Sequence, residues 1–147
     1  MVCRRGGLPD FWTLGPLVLW TICLAACAPN HLPDQDLRIL TAQPSAKMPP
    51  GDLWKDFEKD VVAARAQYFG QAIDLSGRIT SIEADTSKGR HIFFSQVGDR
   101  GIRARLLDDR AGETLKDLKG GDRVTLRCFC EGFDERKDLV LKSCIRP

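Results

Sequence analysis

From residue 72 onward the apolar side chains recur at every second position, in short runs separated by glycine-rich turns. That period of two confines this stretch to strands with one buried and one solvated face. In residues 72–85, Ile73, Leu75, Gly77 and Ile79 fall on one side and Asp74, Ser76, Arg78 and Thr80 on the other. Gly77 inside such a run predicts a bend or bulge. Ser87-Lys88-Gly89 and Gly98-Asp99-Arg100-Gly101 read as turns. Between them lies a second strand, 91–96, and after them a third, in which Ile102, Ala104 and Leu106 alternate with Arg103 and Arg105. Residues 110–118 suit a short helix ended by Gly120-Gly121. A fourth strand, 122–131, sets Val124, Leu126, Cys128 and Cys130 on one face, and 139–146 is the fifth.

Strand, strand, strand, short helix, strand, strand is the order of a five-stranded OB-fold barrel, a mainly β (α+β) architecture in which the helix lies between strands three and four. An additional helix precedes it. Asp52 is positioned to cap it, Leu53, Trp54, Phe57, Val61, Ala64 and Tyr68 recur at helical spacing, and Gly70 suits its end, so the expected span is 53–69. The aromatic residues on that face read as packing residues.

The N-terminus reads as an address. Arg4 and Arg5 precede an apolar stretch at 11–22 that is too short, and too interrupted by Gly15-Pro16, to span a bilayer. Leu24-Ala25-Ala26-Cys27 follows and resembles the bacterial lipobox. The resemblance implies a signal peptide over 1–26, lipidation of Cys27 and a cell-envelope lipoprotein held by its acyl chains, palmitate among them. Ala28, where an Asp would signal retention, favours the outer membrane facing the periplasm over the inner one. The other reading is a conventional cleaved signal with Cys27 an ordinary thiol. A twin-arginine signal fits poorly, because Gly6-Gly7-Leu8 follows the arginine pair. Residues 27–51 hold Pro29, Pro33, Pro44, Pro49 and Pro50, five of the eight prolines, and read as a flexible tether. Leu37, Ile39 and Leu40 offer one short piece that could dock instead. The domain is then 52–147.

Tyr68-Phe69-Gly70-Gln71, Leu75-Ser76-Gly77-Arg78-Ile79, Leu118 through Leu126, Cys130-Glu131-Gly132 and Val140 through Ile145 occur in an order that resembles the tRNA_anti-like group of OB-fold proteins. The resemblance covers Trp54 to Ile145 and implies the OB fold without importing an activity. It also points to Cys130 and Cys144 as a disulfide pair, with Cys128 competing for the same partner. Against that pair, Cys144 lies in the outward register if Leu139, Leu141 and Ile145 face inward, so a bulge is required. Buried free thiols are the alternative. The C-x-C spacing suits neither a structural zinc nor a thioredoxin-type redox site.

With 22 Lys+Arg against 20 Asp+Glu, the formal charge is only +2, which argues against a polyanion-binding protein. No nucleophile–base set, paired-carboxylate signature or phosphate loop occurs, so the expectation is a non-catalytic binding module without a cofactor. OB folds take ligands on the strand-two/three face, which here offers Arg90, His91, Phe93, Arg103 and Arg105. Basic residues beside aromatics suit single-stranded nucleic acid. The plainer reading is a solvated strand face with Asp108 and Asp109 close by. An envelope protein or polysaccharide is the expected partner, and a single-stranded nucleic acid the alternative.

Overall fold

A computed structural model describes residues 32–85, 89–97 and 100–147. The expected signal peptide, residues 1–26, and Cys27 lie outside the described residues. Strands β2 (Ala72–Asp85), β3 (Gly89–Val97), β4 (Arg100–Leu106), β5 (Arg123–Phe133) and β6 (Leu139–Ile145) form the barrel, and a short strand, β1 (Ala46–Met48), adds to it. The sheet order is β1-β2-β3-β4-β6-β5, and a β2–β5 pairing closes it. The β4–β6 and β1–β2 pairs are parallel and the rest antiparallel. The helix between the third and fourth barrel strands, α3, spans Asp108–Leu115. This is the OB-fold arrangement that the strand order predicts. Ile73, Leu75, Ile79, Ile92, Phe94, Ile102, Ala104 and Leu126 are all fully or almost fully buried, so the face that the period of two marks as apolar is the barrel's inner face.

The expected helix over 53–69 is two helices. α1 spans Pro50–Lys59 and α2 spans Val61–Tyr68, with the break at Asp60 in extended backbone (φ −157°, ψ 99°). The Asp60 carboxylate accepts from the Ala63 amide at 3.0 Å, so the residue caps α2. An aspartate followed by two β-branched valines favours a fresh start over continuation. Val61 is 46% exposed, not buried as its spacing predicts. α1 begins two residues before the expected Asp52 cap, with Pro50 in its first turn. Leu53, Trp54 and Phe57 plug one end of the barrel. The Phe57 ring meets Tyr68 at 6.2 Å and Phe133 at 5.4 Å between centroids, and Trp54 meets Phe133 edge-on at 5.3 Å. Gly77 marks where this helix touches the barrel. A Cβ there would come within 2.6 Å of Pro50 Cγ, whereas the register shift in β2 comes later, between Ile79 and Ser81.

From residue 32 onward, the expected tether is instead a docked strap. Ile39 is fully buried on a 3-10 turn, Leu37–Leu40, which Asp36 caps by accepting from the Arg38 amide at 3.0 Å. Ile39 and Leu32 join Ala72, Leu107, Phe129 and Ile145 in a second apolar cluster outside the barrel. Polar contacts fix the strap between them. Lys142 Nζ donates to the Leu32 carbonyl at 2.9 Å, and the Ser143 hydroxyl accepts from the Asp36 amide at 2.7 Å and donates to the Asp34 carbonyl at 3.2 Å. Gln35 fills the gap at the start of α3, donating to the Leu106 carbonyl at 3.3 Å and accepting from the Asp108 amide at 2.7 Å. Arg127, paired with Asp74 at 2.7 Å, donates to the Ala42 carbonyl at 3.1 Å. Composition gave no sign of these partners because all lie far away in sequence.

The disulfide joins Cys128 to Cys144, not Cys130 to Cys144. The required bulge exists but sits one step further along. Arg127 pairs with Ile145 and Phe129 with Lys142, so β6 spends one residue more than β5 there, and Ser143 takes φ 54°. The extra residue turns Cys144 inward opposite Cys128. Cys130 remains a free, buried thiol that burial pushes up to about 12, which keeps it protonated and unreactive.

Candidate binding cleft

The outward faces of β3, β4 and β6 line a cleft of about 540 Å³. Its floor follows from the ladder. His91 pairs with Arg105 across β3–β4, and Arg103 pairs with Val140 across β4–β6. A second bulge, where Cys130 pairs with Leu141 and Gly132 with Val140, sets Glu131 on the cleft wall. Gly132 holds φ +101°, and a Cβ on it would stand 3.3 Å from Phe57 and 3.4 Å from Arg65 Nη1. That close approach lets α2 deliver Arg65 to the rim, where its guanidinium donates to the Glu131 carbonyl at 3.2 Å and lies 4.4 Å over the Phe69 ring.

Of the five residues expected from sequence, three meet in this cleft: His91, Arg103 and Arg105. Phe93 shares their strand face, opposite Ser81 and Arg103, with its ring 6.4 Å from that of His91, but it does not line the cleft. Arg90 has the opposite parity and reaches instead over α3 beside Gly112. Sequence reading missed Arg65, Lys142, Glu131, Asp134 and Asp34. The last belongs to the strap, and the others come from segments distant from strands two and three. The one available signal was the Cys130-Glu131-Gly132 piece, which marks the second bulge.

Three of the cations lining the cleft, Lys142, Arg103 and Arg105, are already matched by acids. Lys142 Nζ lies 2.7 Å from Glu131 and 3.0 Å from Asp34, Arg103 lies 2.8 Å from Asp134, and Arg105 lies 3.4 Å from Asp108. Burial alone would push the Lys142 ammonium down, but the hydrogen bonds to Glu131 and Asp34 outweigh it and hold the group above its usual range. His91 is shifted the other way, lowered first by burial and then by Arg103 and Arg105. It is therefore neutral at pH 7. The result is a surface of both charge signs, largely paired, with Val140 and Phe133 as apolar patches.

A small closed barrel with a polar cleft on its strand-two/three side defines an OB-fold domain. The profile of the tRNA_anti-like family matches residues 12–145, and the chain belongs to that family. Among solved structures, the chain is similar to one from Klebsiella pneumoniae subsp. pneumoniae MGH 78578, provisionally named a nucleic acid-binding lipoprotein. It shares 11% identity and a TM-score of 0.54 over 75% of this chain and 95% of that one. A protein of Leishmania major Friedlin, provisionally named an aspartyl-tRNA synthetase, aligns at 12% identity and TM-score 0.44, over 68% of this chain and 20% of that one. No curated protein matches the chain in sequence.

Proposed function

We propose that the chain is an envelope lipoprotein, anchored through Cys27 on the periplasmic side of the outer membrane, whose OB domain binds an envelope protein or polysaccharide in the β3–β4–β6 cleft without catalysis. The observation that carries this reading is the pairing of Lys142, Arg103 and Arg105 with carboxylates at 2.7–3.4 Å. Cations committed in this way release few counterions on meeting a phosphate backbone, so a polyanion gains little. A hydroxyl-rich or peptide ligand instead finds donors and acceptors of both signs, already oriented. The lipobox-like Leu24-Ala25-Ala26-Cys27 supports the anchor, and the name of the Klebsiella protein agrees with it.

That same name, and the basic residues in the cleft, favour the second reading, a single-stranded nucleic acid. Titration with a fluorescent thymidine oligonucleotide and with envelope polysaccharide fragments separates the two. The expected result is saturable, salt-insensitive polysaccharide binding, or photocrosslinking of an envelope protein to a probe at Val140, with no oligonucleotide binding at physiological salt. Tight oligonucleotide binding with a steep salt slope would overturn the proposal. Metabolic palmitate labelling that persists in a Cys27→Ala variant would remove the anchor.

A further inference from the structure

Leu37 and Leu40 are 57% and 42% exposed. In a 3-10 turn residues three apart eclipse one another, so these two leucines form one outward pair while Ile39 points into the domain. Leu40 also borders a groove of about 660 Å³ shared with Arg110, Arg127 and Arg146. Arg38, 76% exposed, flanks the pair on the same turn. Arg38, Arg110 and Arg127 each hold one carboxylate (Asp36, Glu113 and Asp74), and Arg146 adds a further positive charge. The patch is therefore apolar at its centre, and the arginines around it are, Arg146 apart, already paired with carboxylates.

Chain length decides what this patch meets. The strap is docked from Leu32 onward, and Leu32 belongs to the same apolar cluster as Ile39. Only five residue steps separate Cys27 from Leu32, a reach of about 18 Å even when fully extended. A domain leashed so short stays within about 18 Å of the surface that holds Cys27, and the leash joins the strap five residues before Leu37. We infer that Leu37 and Leu40 rest in the headgroup layer of the membrane, so that the barrel lies on the bilayer. This inference rests on the Cys27 anchor proposed above. The inserted leucines then act as a second membrane signal beside the acyl chains.

The test uses the full lipoprotein, purified from membranes and reconstituted into phosphatidylglycerol–phosphatidylethanolamine vesicles with nitroxide-labelled headgroups. A fluorophore is placed at Leu40→Cys or, as a control, at the 80% exposed Val62 through Val62→Cys; the buried Cys130 does not compete for the label. The expected result is several-fold stronger quenching at position 40 than at 62. Equal, weak quenching at both positions in protein that floats with the vesicles would overturn this inference alone. A label at 40 that lipid does not quench, yet is shielded from aqueous iodide, would assign the leucine pair to a contact with a second copy of the chain and overturn it equally. Failure of the chain to float at all would remove the anchor and this inference together.

Discussion

The α1 plug and the N-terminal strap cover different parts of one barrel by different physics. The plug inserts Leu53, Trp54 and Phe57 into the main core, and its stabilisation is non-directional burial of apolar area. The strap buries little beyond Leu32 and Ile39 and is held by long-range polar contacts from Lys142, Ser143, Gln35 and Arg127. A plug of this kind can be exchanged for another of similar volume. A strap of this kind depends on each partner being in place, because every bond spans from about 70 to more than 100 positions of sequence.

The contrast can be broken at several points. Phe57→Ala should cost about 3–5 kcal/mol of global stability, read as a shifted denaturant midpoint. A loss below about 1 kcal/mol would mean that the plug is not part of the cooperative core. Reduction of Cys128–Cys144, or its double alanine replacement, closes off a constraint spanning 16 residues and should cost about 3 kcal/mol in the loop-entropy account. An unchanged thermal midpoint under reductant would show the bridge to be idle. Ile39→Ala should cost about 2–3 kcal/mol, but locally. Hydrogen exchange should rise in residues 32–48 while the barrel strands stay protected, and uniform deprotection would erase the distinction between strap and plug. The smallest effect belongs to His91. Its folded value is lowered, so the folded state takes up its proton less readily than the unfolded chain does, and stability falls as pH drops through the unfolded value of 6.5. His91→Gln should flatten stability between about pH 7 and 5, measured as denaturant midpoints at the two ends. A steeper acid loss in the variant would reverse the sign.

What the sequence revealed follows the same division. Alternation in 72–85 and at Ile102, Ala104 and Leu106 located the barrel and its inner face, because burial writes its period locally. The strap was legible only as the short piece around Ile39; the rest was hidden because Pro29 through Pro50 looks like linker composition, and what docks it is the side chains of Lys142, Ser143 and Arg127. The disulfide was half legible. Cys144 was a correct partner, but the bulge that selects Cys128 depends on Ser143 adopting φ 54°, which no periodicity foretells. The cleft was legible where it uses strands two and three, at His91, Arg103 and Arg105. It was invisible where bulges and helix packing bring in Glu131, Lys142 and Arg65.

Lys142, Ser143 and Cys144 are consecutive, yet one carries an ionic attachment, the next a hydrogen-bonded one and the third a covalent one. The bulge that serves all three is a single backbone feature. Changes at these positions should therefore be epistatic: a replacement that flattens the strand at Ser143 misaims both neighbours at once, and pairs of substitutions here should sum to less than their separate costs. Drift at this tripeptide is constrained as one unit, whereas α1 can wander residue by residue.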